Sequence, residues 1–192
     1  NAPNQRPGGT LVTANKPISI SVNEDLLVYP GGTCADSAGD QLIADELAGN
    51  EFIVVKGRFN DPNPDFFYVF ATANNTAIKI NGNNVGSINA GEYYMWMLSE
   101  ESCYVETSGP SHVYHVAGFG CEVGASVIPS IKCTGSSRVN VTRASGTEEF
   151  YANIIAPKEI INDFRINNDP AQLPASFFVP VIGNNKWMQA RL

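Results

Sequence analysis

Residues 76–80 read Thr, Ala, Ile, Lys, Ile, so Ile78 and Ile80 share one side of an extended strand and Lys79 takes the other. Asn81-Gly82-Asn83-Asn84 follows, a run of residues that tolerate positive φ, and Val85 starts a second apolar stretch. This hairpin signature sets the pattern for the whole chain. Ile18, Ile20 and Val22 alternate with Ser19 and Ser21. Short strand-like runs recur at 52–55, 66–70, 93–98, 104–106, 113–117, 139–142, 150–155, 164–166 and 177–181, separated by turn residues. Only 40–48 has a loose helical stripe, from Leu42, Ile43, Leu47 and Ala48, with Gly49 as a stop, and it reads equally as an irregular turn. Such spacing predicts a sandwich or barrel of antiparallel strands.

Charged residues make up only 16% of the 192 positions, and the space they leave is taken by Gly, Asn, Ser and Thr. That balance suits an extracellular β-protein better than a cytosolic helical one. The net charge of −7, with 12 Lys and Arg scattered singly, disfavours nucleic acid and anionic membrane as partners. No run approaches the ~18 apolar residues of a membrane span, so no membrane insertion is expected. The polar, Pro- and Gly-rich start of the chain reads as a linker or the edge of a larger protein.

Four cysteines, Cys34, Cys103, Cys121 and Cys133, suit two disulfides in an oxidising compartment, and none forms a Cys-x-x-Cys pair. Spacing favours Cys121–Cys133 as a local closure and leaves Cys34–Cys103 by elimination. Three connectivities are open, as is a set of buried thiols.

An internal echo bears on domain organisation. Val12 precedes Pro17 by five residues as Val105 precedes Pro110, and a β-run follows each. Pro fixes φ and removes a ladder donor, so each reads as a strand, a Pro-closed turn and a return strand. The expected fold class is therefore all-β, a β-sandwich of two related β-lobes stabilised by disulfides. Residues 1–8 are a linker, 9–100 the first lobe and 101–192 the second. The alternative is two ordinary hairpins in one continuous sandwich.

No catalytic constellation emerges. His112 and His115, three apart on a strand, face opposite ways and do not share a metal. Gly118, Gly120 and Gly124 miss dinucleotide-binding spacing. The candidate binding residues lie in two acidic loops. Residues 34–40 offer Asp36 and Asp40, and 60–65 offer Asp61 and Asp65 stiffened by Pro62 and Pro64. Phe66 and Tyr68 adjoin the second loop as an aromatic shelf. No cofactor is expected; the two loops could take calcium, although no Glu closes either as a calcium loop, and the alternative is that they are solvated turns.

The run Gly118-Phe-Gly-Cys-Glu-Val-Gly-Ala, followed by Ile128-Pro-Ser-Ile-Lys-Cys-Thr-Gly and then Arg143, resembles the IgGFc-binding-protein N-terminal-like domain. More narrowly it resembles the version in large surface adhesins and gliding-associated proteins of Bacteroidetes bacteria. Earlier segments at 15–20, 39–43, 51–57, 76–82 and 90–93 resemble the same family in order. The resemblance implies export, cell-surface display and a non-enzymatic adhesion or ligand-binding role. The partner would be an extracellular protein or a glycan, with flanking domains in the same polypeptide. Two other readings are a spacer or filament subunit and a carbohydrate-binding domain.

Overall fold

The computed structural model describes residues 8–28, 35–119, 122–132, 135–142, 146–147 and 150–192. It contains twelve strands among these residues. They are β1 (Ser21–Val28), β2 (Ala35–Gln41), β3 (Gly49–Val55), β4 (Asp65–Ala71), β5 (Thr76–Ile80) and β6 (Asn83–Ile88). The later six are β7 (Tyr93–Leu98), β8 (Ser102–Phe119), β9 (Glu122–Ile128), β10 (Asn153–Pro157), β11 (Val179–Val181) and β12 (Asn184–Arg191).

Strand β8 organises the centre. Its first half pairs antiparallel with β3, Phe52 opposite Val105, and with β5, Ile78 opposite Thr107. Its second half pairs antiparallel with β4, Phe67 opposite His115, and with β9, His115 opposite Ser126. Adding β6 beside β5 and β7 beside β4 gives two layers, β3-β8-β5-β6 and β9-β8-β4-β7, which share one strand.

Side-chain alternation then sorts residues between faces. Phe52 and Val54 of β3, Ile78 and Ile80 of β5, Phe67 and Val69 of β4, Leu98 of β7, and Cys103, Val105 and Val113 of β8 pack into one core. The opposite parity faces outward on both layers. Phe66, Val116, Tyr68, Tyr114 and Met97 form a second cluster, covered by Leu27 of β1 and Ala38 of β2. Ile53, Val55 and Tyr104 form a third, covered by Val181 of β11 and Trp187. The β10-β12-β11 sheet has its own small core of Ala156, Leu173, Phe178, Met188 and Ala190. The order of layers is thus the β1–β2 hairpin, two sandwich sheets and the C-terminal sheet.

The expectation of two lobes meeting near residue 100 differs from this arrangement. The ladders of β8 join strands from both sides of that position, so residues 49–128 form one sandwich. Pro110 closes no turn between 104–106 and 113–117; it lies within β8. The reason is local. The recorded ladders with β5 and β4 leave off at Thr107 and resume at Ser111, so the missing amide is not called on, while the Pro110 carbonyl accepts from Thr72 N at 3.0 Å.

Other expectations also shift. The 40–48 stripe yields only the 3-10 turn Asp45–Leu47, because β2 runs through Gln41. Residues 139–142 are exposed and outside any strand, and 164–166 contributes only a bridge from Ile166 to Asp169. Cys103 is a free, fully buried thiol, and burial pushes its pKa up to about 12. The other three cysteines lie outside the described residues.

Leu98 is fully buried in the shared core. Leu98→Ala should cost about 3 kcal/mol in urea unfolding, by lost transfer energy plus the cavity left behind. Leu47→Ala, at an exposed position, should stay within about 0.5 kcal/mol of the parent.

Candidate functional site

The two acidic loops are integrated into the fold. Asp36 and Asp40 sit on β2 beside β9, whose second edge pairs with no strand among the described residues. Asp36 Oδ2 accepts from Val123 N at 2.8 Å and Asp40 Oδ2 from Val127 N at 2.7 Å. The carboxylates thus meet the edge amides that a further strand would have met.

Asp61 and Asp65 lie at one end of the sandwich and are largely buried. Asp61 Oδ1 accepts from Asn63 N at 2.9 Å, closing the turn that holds Pro62. Its carbonyl oxygen accepts from the buried Lys56 Nζ at 2.6 Å. Asp65 Oδ2 accepts from Gly57 N at 2.6 Å and lies 2.9 Å from His115 Nε2. Gly57 allows this approach, since a Cβ there would stand 2.8 Å from Ala117 Cβ. Alternation puts Lys56, Asp65 and His115 on the inner face at this end, so they close the apolar core with satisfied polar groups. His112 faces the other way and meets Asp45 Oδ1 at 3.1 Å.

Phe66 is buried and Tyr68 half-buried under the β1–β2 side. Tyr68 packs edge-on to Phe66 at 5.6 Å and to Tyr93 at 5.4 Å. The six residues singled out from the sequence therefore fall into two groups, Asp36, Asp40, Phe66 and Tyr68 on the β1–β2 side and Asp61 and Asp65 at the end of the core. No three His, Cys, Asp or Glu side chains converge as a metal cage among the described residues.

An open trough lies elsewhere, where the C-terminal sheet meets the outer face of β3 and β8. Its larger part, about 880 Å³, is lined by Glu51, Tyr104, Glu106 and the chain from Pro180 to Trp187. A second part, about 690 Å³, is lined by Lys158, Glu159 and Asn162 and again by Asn185, Lys186 and Trp187. The β11–β12 turn is held in place by close contacts. Gly183 takes φ +82° and approaches Asn81, where a Cβ would meet Asn81 Cα at 2.4 Å. Ile182 N donates to Ser102 Oγ at 3.3 Å. Asn81 in turn accepts from Tyr104 N through Oδ1 and donates its own amide to the Tyr104 carbonyl, each at 2.9 Å. At the far end of β12, the Arg191 guanidinium lies 3.4 Å from the Phe59 ring centroid and donates to the Lys56 carbonyl.

Two charged contacts order the trough's floor. Glu51 Oε1 meets Lys132 Nζ at 2.7 Å, and Glu51 Oε2 accepts from the Tyr104 hydroxyl at 2.7 Å. The Lys132 contact first, then the tyrosine donor, holds the Glu51 carboxyl below its usual range. Burial first, then donation to Glu51, pushes the Tyr104 phenol above its usual range. Nothing in the sequence pattern pointed here, because Glu51, Tyr104 and Trp187 are isolated residues that only the docking of β11–β12 brings together.

A β-sandwich with an open, mixed-polarity trough outside its core has the build of a binding module. The chain belongs to the family described as IgGFc binding protein, whose profile matches residues 4–192. No curated protein and no solved structure shows a significant match to it. Among the described residues no helix is long and apolar enough to cross a membrane.

Two outcomes test these assignments. Asp65→Ala strips an acceptor from the Gly57 amide and a partner from His115, and should lower stability by about 3 kcal/mol in chemical denaturation. Glu51 stabilises differently. Its folded pKa is lowered from 4.5, so its contribution is complete above that value and is lost as pH falls through the folded one. Glu51→Gln should therefore cost about 1 kcal/mol at neutral pH. The gap from wild type should shrink toward zero on acidification, read by urea unfolding across the acid range.

Proposed function

We propose that the chain is a non-enzymatic recognition module of a larger extracellular or cell-surface protein, and that the trough between the sandwich and the C-terminal sheet is its ligand-binding face. The family match across residues 4–192 carries this reading, because it covers the sandwich and the C-terminal sheet together. The structure supports the choice of face. The carboxylates of the acidic segments accept from the protein's own amides, whereas Asn185 and Lys186 stand exposed at the start of β12, beside a turn anchored from both sides. An anchored turn loses little conformational freedom on binding. Low charge and abundant Asn, Gly and Thr fit an exported protein. An adhesin role follows from display of such a face at a cell surface.

The test is binding by immobilised protein to immunoglobulin Fc, matrix proteins and mucins, with and without chelator. Wild type should bind at least one of these. Lys186→Glu with Asn185→Ala should weaken that binding about tenfold or more, while Tyr93→Ala, on the opposite outer face, should not. Retention by the trough variant with loss in Asp61→Ala or Phe66→Ala would move the site to the loop end. No binding by wild type across the panel would favour the spacer reading.

A further inference from the structure

The trough's chemistry narrows what it takes. Its charged lining is Glu51, Glu106, Glu159, Lys158 and Lys186. Glu51 is neutralised by Lys132. Two acids, Glu106 and Glu159, then face two bases, Lys158 and Lys186, and the trough is balanced on a protein whose net charge is −7. A balanced lining offers no Coulombic preference for an anionic or cationic ligand.

The remaining lining is suited to hydroxyl groups. Asn162 and Asn185 each carry a donor and an acceptor on one amide, whereas Asn184 Oδ1 already accepts from Lys186 N and the Tyr104 hydroxyl already donates to Glu51. Lys158 and Lys186 donate and the carboxylates accept. Trp187, half-buried where it packs on the Ile53, Val55 and Tyr104 cluster, lines both parts of the trough and is the aromatic ring they share. The two parts share Asn185, Lys186 and Trp187 in their linings, so β12 borders both. A pyranose ring has the matching build, with one C–H face and a rim of hydroxyls that both donate and accept. A helix laying an apolar face would require a groove with far fewer amides and charges.

We propose that the trough binds an uncharged oligosaccharide, laid across the β11–β12 turn, with one sugar stacked on Trp187 and its neighbours hydrogen-bonded to the asparagine amides and Glu106. This rests on the trough being the recognition face. It names the ligand class that face selects.

The test is calorimetry and tryptophan fluorescence with neutral hexasaccharides of β-glucan, mannan, xylan and chitin, and a heparin hexasaccharide as charged comparator. At least one neutral sugar should bind, with affinity insensitive to salt. Trp187→Ala should weaken it about tenfold and Trp187→Phe much less. The protein has two tryptophans, and Trp96 keeps its Nε1 buried. The ligand-induced fluorescence change should persist in Trp96→Phe and vanish in Trp187→Phe, a readout that mere destabilisation would not mimic. Asn185→Ala, at an exposed position, should weaken binding without altering the unfolding midpoint. Salt-sensitive preference for heparin would overturn the proposal. So would binding of no neutral sugar: if a protein ligand still binds through the trough, the recognition-module reading stands and the sugar falls, and if nothing binds there, both fall.

Discussion

Strand β8 makes hydrogen bonds from both of its edges along both of its halves, and the rest of the fold is arranged around that demand. An 18-residue strand is far longer than one sheet of this size needs. It can persist only if its two ends enter different layers, since a straight ladder of that length would leave much of its backbone unpaired. The handover near Gly109 and Pro110 provides the change of partners. Gly109 lies so close to β5 that a Cβ would stand 2.5 Å from Thr76 Oγ1, and Pro110 offers no amide where no acceptor waits. Both sandwich sheets inherit their register from one strand, so their inner faces meet in phase.

That dependence explains where sequence reasoning reached and where it stopped. β5 and β7 emerge with the expected limits, and β4 and β6 within a residue or two, because alternation and the Asn81-Gly82 turn are local signals. The Tyr93-Tyr94-Met95-Trp96 run divides as alternation requires, with Tyr93 and Met95 exposed and Tyr94 and Trp96 packed on the core. β8 read as two strands because Pro is ordinarily a boundary, and only the change of ladder partners shows why it is tolerated. β2, with the sequence ADSAGDQ, has almost no strand propensity of its own. Its pairing with β1 and its bonds to β9 hold it extended. The candidate site was the least legible part, since its lining comes from strands β3, β8, β11 and β12, far apart in sequence.

Carboxylates illustrate the same limit. In a sequence, Asp residues in a Pro- or Gly-rich loop advertise a ligand. In the fold, Asp65 caps the open end of an apolar core, where a buried carboxylate needs several donors at short range. Gly57 and His115 supply them. The immediate neighbours, Lys56 and Asp61, satisfy each other through a carbonyl rather than an ion pair. The composition of a loop carries no information on whether its acids face outward or serve the chain itself. Burial and partners decide that.

The contacts from Asp36 and Asp40 to β9 have a consequence for copies of this protein held close together. A backbone strand answers each amide with a carbonyl and then presents a new edge, so strand addition can propagate like a growing polymer. A carboxylate answers the amide and presents no new ladder. At two positions four residues apart, Val123 and Val127, the sheet meets such a terminator. Growth by stacking edge to edge is opposed on this side by the side chains' own hydrogen bonds, without calling on net charge or dilution. A crowded array of such domains can remain a set of discrete beads.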